Sequence, residues 1–320
     1  MRTIDNVLLL GGTGFVGSAT CEALIERFGA ARLVVPSRRP ARAKHLLPLP
    51  GLELVKADVH DDADLARLLA GRSAVVNLVA ILHGDAAAFE RVHVALPRRL
   101  ARACAAAGVR RVVHVSAIGA APDAPSNYLR SKAGGEAVLR RAAGLDLTVL
   151  RPSVIFGAGD RFLNTFAGLQ RVFPVVPLAA AQARFQPVWV EDVAAAIVRC
   201  LEEPATAGET YELAGPRVYT LAELVRLAGR WSGHERPVCP LPEPLGRLQA
   251  ALMGLAPGEP LLSGDNLDSM RVPNVASGTL PGLAALGITP SALEAVGPSY
   301  LDAQRGVRRL DAFRALARRR

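Results

Sequence analysis

Asn6-Val7-Leu8-Leu9-Leu10-Gly11-Gly12-Thr13-Gly14-Phe15-Val16-Gly17 is the stretch that decides the fold. Its first five residues read as a short strand buried on both faces, because apolar residues occupy nearly every position instead of alternating. Three glycines at GxxGxxG spacing follow, and then Cys21, Leu24 and Ile25 recur at helical spacing. In a strand–loop–helix of this kind, the first glycine permits the tight turn. The second lets backbone N–H groups approach a pyrophosphate, and the third lets helix and strand pack closely. An anion would then sit on the helix N-terminus, where unpaired N–H groups and the helix dipole favour negative charge. Gly11, Thr13, Gly14, Phe15, Val16 and Gly17 are therefore candidate dinucleotide-binding residues.

Outward from this loop the pattern repeats. Arg32–Pro36, Leu52–Lys56, Ala74–Leu78, Arg111–Ser116 and Leu147–Leu150 read as short strands. Helical stretches separate the later ones: Ala63–Leu69 behind an Asp61 cap, Phe89–Ala107 ended by Gly108, and Asn127–Ala142. Apolar strands joined by crossovers of this length require a parallel sheet covered on both faces. The fold class is α/β, a doubly wound parallel sheet (Rossmann) with a smaller C-terminal lobe. The expected division is a dinucleotide-binding core over 1–152, a lobe over 153–303 interleaved with late elements of the core, and a basic tail over 304–320. Within the lobe, Phe185–Val190 reads as a strand and Asp192–Leu201 as a helix.

The end of the second strand bears on the choice of nucleotide. An acid near this point would hold a ribose 2′-hydroxyl, but the chain reads Ser37-Arg38-Arg39. A hydroxyl and guanidinium groups suit a 2′-phosphate, which arginine grips with paired, charged hydrogen bonds. NADP(H) is the preferred cofactor and NAD(H) the alternative. Ser37 and Arg38 join the candidate set, as do Asp58 and Val59 after the third strand. Val79 and Ala80 after the fourth complete it. By position these last two pairs would meet the adenine and the nicotinamide ribose. Asp58 reads equally well as a turn cap.

Tyr128-Leu129-Arg130-Ser131-Lys132 places a phenol and an ammonium four residues apart, on one face of a helix. A lysine cation beside a tyrosine stabilises the phenolate and makes the phenol a usable acid or base near neutral pH. The same ammonium can hold a nicotinamide ribose. Lys132 is one of only three lysines, with Lys44 and Lys56, in a chain with 35 arginines, so its retention draws notice. Ser116, at the end of the fifth strand, could polarise a substrate carbonyl or simply close a strand-end hydrogen bond. Tyr128, Lys132 and Ser116 are the catalytic candidates. They equip the chain for NAD(P)-dependent oxidoreductase chemistry, and equally for a static cofactor clamp.

Composition narrows the remaining classes. With 50% hydrophobic and 21% charged residues over 320 positions, the chain has ample material for a core. No apolar run approaches the length needed to span a bilayer, and no signal-peptide pattern opens the sequence, so a cytoplasmic location is expected. Cys21, Cys104, Cys200 and Cys239 are scattered without a CxxC pair; free thiols and no metal site are expected. The formal charge of +9 is concentrated after Gln304, where seven arginines face one acid, Asp311. With the body nearly balanced and no nucleic-acid motif present, nucleic acid is not an expected partner. Val307, Leu310, Phe313 and Ala317 can line one face of a tail helix whose other faces carry arginine, which suits an anionic membrane surface; a frayed, solubilising tail is the alternative.

Together these stretches resemble the extended short-chain dehydrogenase/reductases: GGTGFVG (11–17), YLRSK (128–132) and RPSVIFG (151–157). More narrowly, HVSAIGA (114–120), SNYLRSKAGGEAVLR (126–140), RPSVIFGAGDRFLNTFAGL (151–169), FQPVWVEDVA (185–194) and LPGLAALGITP (280–290) are similar to an atypical branch. That branch contains the nucleotide-binding accessory subunit of respiratory complex I. The resemblance implies a tightly held NADPH and, as partner, complex I or a quinone-related membrane complex, with the chain peripheral at the inner face of the cytoplasmic membrane. It places Gly11, Gly14 and Gly17 on the pyrophosphate, Arg38 on the 2′-phosphate, and Tyr128 and Lys132 over the nicotinamide ribose. The chain departs from catalytic epimerases in two ways. Ala117 follows Ser116 where they have a second hydroxyl residue, and the interval from Ser116 to Tyr128 is short. Both count against sugar-nucleotide epimerisation and leave a simpler reductase open.

Overall fold

The apolar runs read from the sequence become neighbouring strands of one parallel sheet. The computed structural model describes residues 4–29, 32–255 and 260–302, so the tail expected over 304–320 lies outside the described residues. In chain order the first half comprises β1 (Asn6–Leu10), α1 (Phe15–Phe28), β2 (Arg32–Ser37), β3 (Leu52–Lys56), α2 (Asp62–Leu69) and β4 (Ala74–Asn77). It continues with α3 (Ala86–Phe89), α4 (Leu96–Ala107), β5 (Arg111–Val115), α5 (Asn127–Arg141) and β6 (Asp146–Pro152). Then come β7 (Ile155–Phe156), α6 (Leu163–Val172), β8 (Val176–Leu178), β9 (Arg184–Phe185), β10 (Val188–Trp189), α7 (Val190–Glu202) and β11 (Thr210–Leu213). The remainder is β12 (Tyr219–Thr220), α8 (Leu221–Trp231), β13 (Val238–Pro240), α9 (Glu243–Gly254), α10 (Gly264–Ser269) and α11 (Leu293–Leu301).

Two compact units share this chain. The first consists of Met1–Pro152, Val190–Leu213 and Ala276–Thr289. It holds the seven-stranded sheet in the order β3-β2-β1-β4-β5-β6-β11, every neighbouring pair parallel. On one face α2, α4 and α5 set Leu65, Leu68, Leu100, Cys104 and Leu139 against Leu8, Leu10, Val75 and Val112 of the strands, and all of these are buried. Helices α1 and α7 pack on each other in the same unit. Strand order reverses between β1 and β4, so the carboxyl ends of these two strands frame the crevice where this sheet type binds ligands.

The second unit consists of Ser153–Trp189, Ala214–Val275 and Pro290–Arg320. Its core gathers Phe156, Leu163, Phe185, Tyr219, Leu224, Val225 and Leu301. The two-stranded pairs β10–β7, β12–β9 and β13–β8 are its only sheets among the described residues.

Three local readings need correction. The single helix expected over Phe89–Ala107 is broken: α3 passes into a wider π-turn at Glu90–Ala95 before α4 resumes. Phe185–Val190 is not one strand but the separate β9 and β10, and Val190 already opens α7. Finally, β11 is an additional strand of the main sheet that the sequence reading did not identify.

Candidate functional site

The glycine loop has the geometry its spacing implied. Gly11 adopts φ +82°, in the left-handed region open to glycine, and Gly14 N–H donates to the Gly11 carbonyl at 3.1 Å. A Cβ on Gly17 would lie 2.3 Å from the Gly11 oxygen and 2.5 Å from Gly12 Cα, so only glycine lets α1 start this close to the loop. A Cβ on Gly11 would stand 3.1 Å from the backbone of Leu78 and Val79, which sets the loop directly against the exit of β4. Gly14 caps α1 without a side-chain hydrogen bond, and no acid occupies the first turn. Half-buried Thr13, Phe15 and Val16 complete the mouth of this cradle.

At the end of β2 the Ser37 hydroxyl accepts from Arg39 N–H at 3.2 Å and holds the turn that projects Arg38 and Arg39 into solvent. Neither guanidinium has an ion-pair partner among the described residues. His60 faces the same cations: burial holds its imidazole below the usual range, opposed by Asp58, with Arg91, Arg38 and Arg99 adding to the depression. Arg99 Nη1 is fixed to the His60 carbonyl at 2.7 Å and to Asp62 at 2.9 Å. Asp58 itself is engaged as a turn cap. One of its oxygens accepts from His60 N–H at 3.0 Å, and its own N–H donates to Asp64 at 2.8 Å. Val59 and Val79 are half-buried against the main core, and Ala80 is exposed just beyond β4.

The tyrosine and lysine lie on α5, whose start is capped by Ser126 Oγ accepting from Leu129 N–H. Tyr128 stands edge-on to Phe89 and His93, with ring centroids 6.1 and 5.6 Å away. Burial pushes its phenol up to about 12. Lys132 is 2% exposed and donates to the Val115 carbonyl at 2.7 Å. Burial lowers its ammonium to about 8, with Glu136 opposing. Desolvation is the first cause of the shift in both groups. Glu136 is tied to Arg151 by two hydrogen bonds of 2.9 and 2.7 Å, so its charge is already matched.

Beside Lys132 the sheet leaves polar atoms unpaired. Ser116 is 3% exposed and its Oγ has no hydrogen-bond partner. Two residues earlier on the same strand face, His114 shares its Nδ1 with Asn77 Nδ2 at 3.2 Å and leaves Nε2 without a partner. Burial keeps this ring neutral, with Lys132 reinforcing the effect. A buried polar atom left unpaired costs about 1–3 kcal/mol, so such atoms mark places where a ligand or water completes the bonding.

One residue of the site was missed in the sequence. His93 lies in the π-turn before α4, where its Nε2 accepts from Ile81 N–H at 3.1 Å. That bond leaves the ring proton on Nδ1, which donates to Ser131 Oγ at 2.8 Å, and Ser131 in turn donates to the Tyr128 carbonyl at 2.8 Å. Burial, followed by the charge of Lys132, lowers His93 to about 3, so the ring stays neutral. A Cβ on Gly135 would fall 2.1 Å from the His93 carbonyl; that glycine is what admits the wide turn against α5. The only signal in the sequence was a histidine within a helical run.

No group of three His, Cys, Asp or Glu placed to hold a metal exists among the described residues. Cys21, Cys104 and Cys200 are buried free thiols, and Cys239 is exposed. No described helix is long and apolar enough to cross a membrane.

A parallel sheet with this strand order and a glycine cradle at its switch point defines a Rossmann-type nicotinamide-dinucleotide domain. The chain belongs to the NAD dependent epimerase/dehydratase family, whose profile matches residues 7–214. It is 34% identical over 298 residues to NADH dehydrogenase [ubiquinone] 1 alpha subcomplex subunit 9, mitochondrial, of Mus musculus, an alignment covering 89% of this chain and 77% of that protein. It is also 30% identical to a ceramide reductase of Caulobacter vibrioides, over 74% of each chain. Among solved structures, the NADPH-dependent quinone oxidoreductase QOR2 of Escherichia coli, complexed with NADPH, superimposes with a TM-score of 0.75. That comparison covers 92% of this chain and 99% of the other at 24% identity, which speaks for the fold.

Proposed function

We propose that this chain is an NADP(H)-binding accessory protein that docks on a membrane-bound respiratory or quinone-linked assembly, from the cytoplasmic side, with little or no turnover of its own. The observation that carries the cofactor choice is the β2 turn, where Ser37 holds Arg38 and Arg39 exposed and without carboxylate partners. The cradle fits a dinucleotide: the Gly17 contact leaves no room for a side chain, and the α1 N-terminus lacks a side-chain cap. Gly11, Gly14 and Gly17 would hold the pyrophosphate and Arg38 the 2′-phosphate. Asp58 and Val59 would flank the adenine. Val79, Ala80, Tyr128 and Lys132 would line the nicotinamide ribose. When bound, the nicotinamide supplies a hydride donor or acceptor. The high phenol and the firmly seated ammonium favour a clamp over an acid–base pair. The docking role rests on likeness to the mouse protein of 34% identity over most of both chains.

Pull-down of the tagged chain from gently solubilised membranes of its own cells, with proteins and nucleotide identified by mass spectrometry, tests this reading. Recovery of respiratory or quinone-linked subunits together with bound NADPH is expected. A lone chain carrying exchangeable nucleotide refutes the docking role.

A second reading is favoured by one specific observation, the unpartnered Ser116 hydroxyl beside Lys132. It makes the chain an NAD(P)-dependent oxidoreductase on a small or lipid-like carbonyl compound. Ser116 would donate to the carbonyl oxygen, Tyr128 would pass it a proton, and Lys132 would support Tyr128. Likeness to the ceramide reductase points the same way. On this reading Tyr128→Phe abolishes any turnover found by substrate screening and leaves nucleotide binding intact; unchanged turnover rejects it.

A further inference from the structure

We infer that the α9 face of the second unit is the surface by which this protein lies on an anionic lipid bilayer, a proposal that rests on the membrane-docking reading above. Helix α9 is seated through a narrow contact. Gly246 approaches Ala179 so closely that a Cβ there would stand 2.8 Å from the Ala179 Cβ, and Ala250 is buried. Leu241 N–H donates to the Leu178 carbonyl at 2.9 Å, and Gln249 Nε2 to the Pro177 carbonyl at 3.2 Å. On another side of the helix, Leu245, Leu248, Leu252 and Leu255 follow one another at intervals of 3, 4 and 3 residues and share one face. They are 51%, 55%, 60% and 82% exposed.

The neighbouring chain extends this apolar surface. Strand β13, which leads into α9, pairs in parallel with β8, and β8 is entered through exposed Val172, Phe173 and Val175. Of the ten exposed large apolar residues among the described residues, these seven and Leu261 fall between positions 172 and 261; Leu47 and Leu82 are the other two. Scattered single leucines need no explanation, but a run of this kind on one unit does.

Charge selects the occupant. Glu243 and Asp268 are both held by Arg247, and Glu235 by Arg230. Arg171 and Arg236, which immediately precede the exposed Val172 and the approach to β13, have no carboxylate partner among the described residues. Beyond the described residues, positions 305–320 of the sequence carry seven arginines and one acid. A leucine stripe flanked by uncompensated arginine suits the boundary of acyl chains and anionic headgroups.

Flotation of the full-length protein, loaded with NADPH, on vesicles of phosphatidylcholine alone and of phosphatidylglycerol with phosphatidylcholine tests the proposal. The wild-type chain is expected to float with the anionic vesicles, less so as salt rises, and to leave the neutral ones largely bare. Leu248→Glu/Leu252→Glu, and separately Leu248→Ser/Leu252→Ser, are expected to lose binding by about tenfold or more while keeping NADPH affinity, which verifies the fold. Wild-type binding that both double variants retain overturns the α9 face and leaves membrane docking standing through other residues. Wild-type protein that floats with neither vesicle also overturns it. The pull-down then decides separately whether docking occurs on protein.

Discussion

Lys132→Met is the substitution that separates what the site does for folding from what it does for a ligand. The ammonium is 2% exposed, has one hydrogen bond, to the Val115 carbonyl, and sits at about 8 instead of 10.5. A lysine lowered in the folded state costs stability wherever both folded and unfolded chains hold the proton, that is, below about 8. The cost fades as pH rises toward 10.5, because there the unfolded chain keeps a proton that the folded chain has released. The interval from 10.5 to about 8 corresponds to about 3 kcal/mol at about 1.4 kcal/mol per pH unit. Methionine fills similar space without charge and forfeits one hydrogen bond, worth about 1 kcal/mol. The variant should therefore be more stable than the wild type by about 2 kcal/mol at pH 7, in the absence of nucleotide. Urea unfolding of both proteins from pH 7 to pH 10 measures this, and titrations common to the two chains cancel in the difference. The advantage should shrink steadily above pH 8, while NADPH affinity at pH 7 falls by about tenfold or more for loss of a charged hydrogen bond. A variant less stable at pH 7, or a difference that stays flat across the range, refutes the reasoning.

Four other substitutions probe neighbouring parts. Gly17→Ala should cost at least about 2 kcal/mol and abolish saturable nucleotide binding in equilibrium dialysis, because the clash is with backbone that cannot turn aside. Arg38→Ala should weaken NADPH binding by about 10- to 100-fold in calorimetry and leave NADH within about twofold; equal losses for both would remove Arg38 from the 2′-phosphate. His93→Ala should cost about 2–4 kcal/mol by unpairing Ile81 N–H and opening a void. Since burial holds the folded ring neutral down to about 3 while the unfolded ring takes up a proton below 6.5, wild type alone loses stability on acidification. Thermal unfolding should therefore show a loss smaller by about 2 kcal/mol at pH 5 than at pH 8. Ser116→Ala should leave the stability of the nucleotide-free protein unchanged or slightly higher, because the hydroxyl it deletes is unpaired; a loss above about 1 kcal/mol would mean the hydroxyl bonds to a buried water.

The central sheet was legible because burial on both faces writes itself as short apolar runs, and glycines punctuate their ends. Gly11 and Gly17 could be assigned roles from spacing alone, since each role is steric and local. The π-turn at Glu90–Ala95 could not be read in this way. Its sequence is ordinary for a helix, and the extra width is imposed by partners distant in the chain, Gly135 against the His93 carbonyl and Ile81 on its ring. Strand β11 escaped for a related reason. Thr210–Leu213 is four residues long and mixed in character, and it is a strand because Arg151 and Pro152 of β6 lie alongside. The positions of Tyr128 and Lys132 on one helix followed from their spacing, but their protonation did not. Spacing shows that two groups can meet, whereas burial decides which charge survives the meeting.

The two ends of β5 show how differently this protein treats buried polarity. At the amino end Arg111 enters the interior and is met by the Asp146 carbonyl at 2.6 Å, by Thr148 and Thr206 hydroxyls at 2.8 Å each, and by the Cys200 carbonyl. Only its Nε goes unpaired. At the carboxyl end Lys132 has a single carbonyl, and His114 Nε2 and Ser116 Oγ have nothing. The same strand thus satisfies a buried cation almost fully at one end and leaves three polar groups short at the other. The difference does not come from how deeply the groups lie, since Arg111, Lys132, His114 and Ser116 are all buried. What differs is position: ligands of parallel sheets bind at the carboxyl ends near the switch point, and on the function proposed above the unpaired groups at that end are the ones a bound dinucleotide or carbonyl compound would complete.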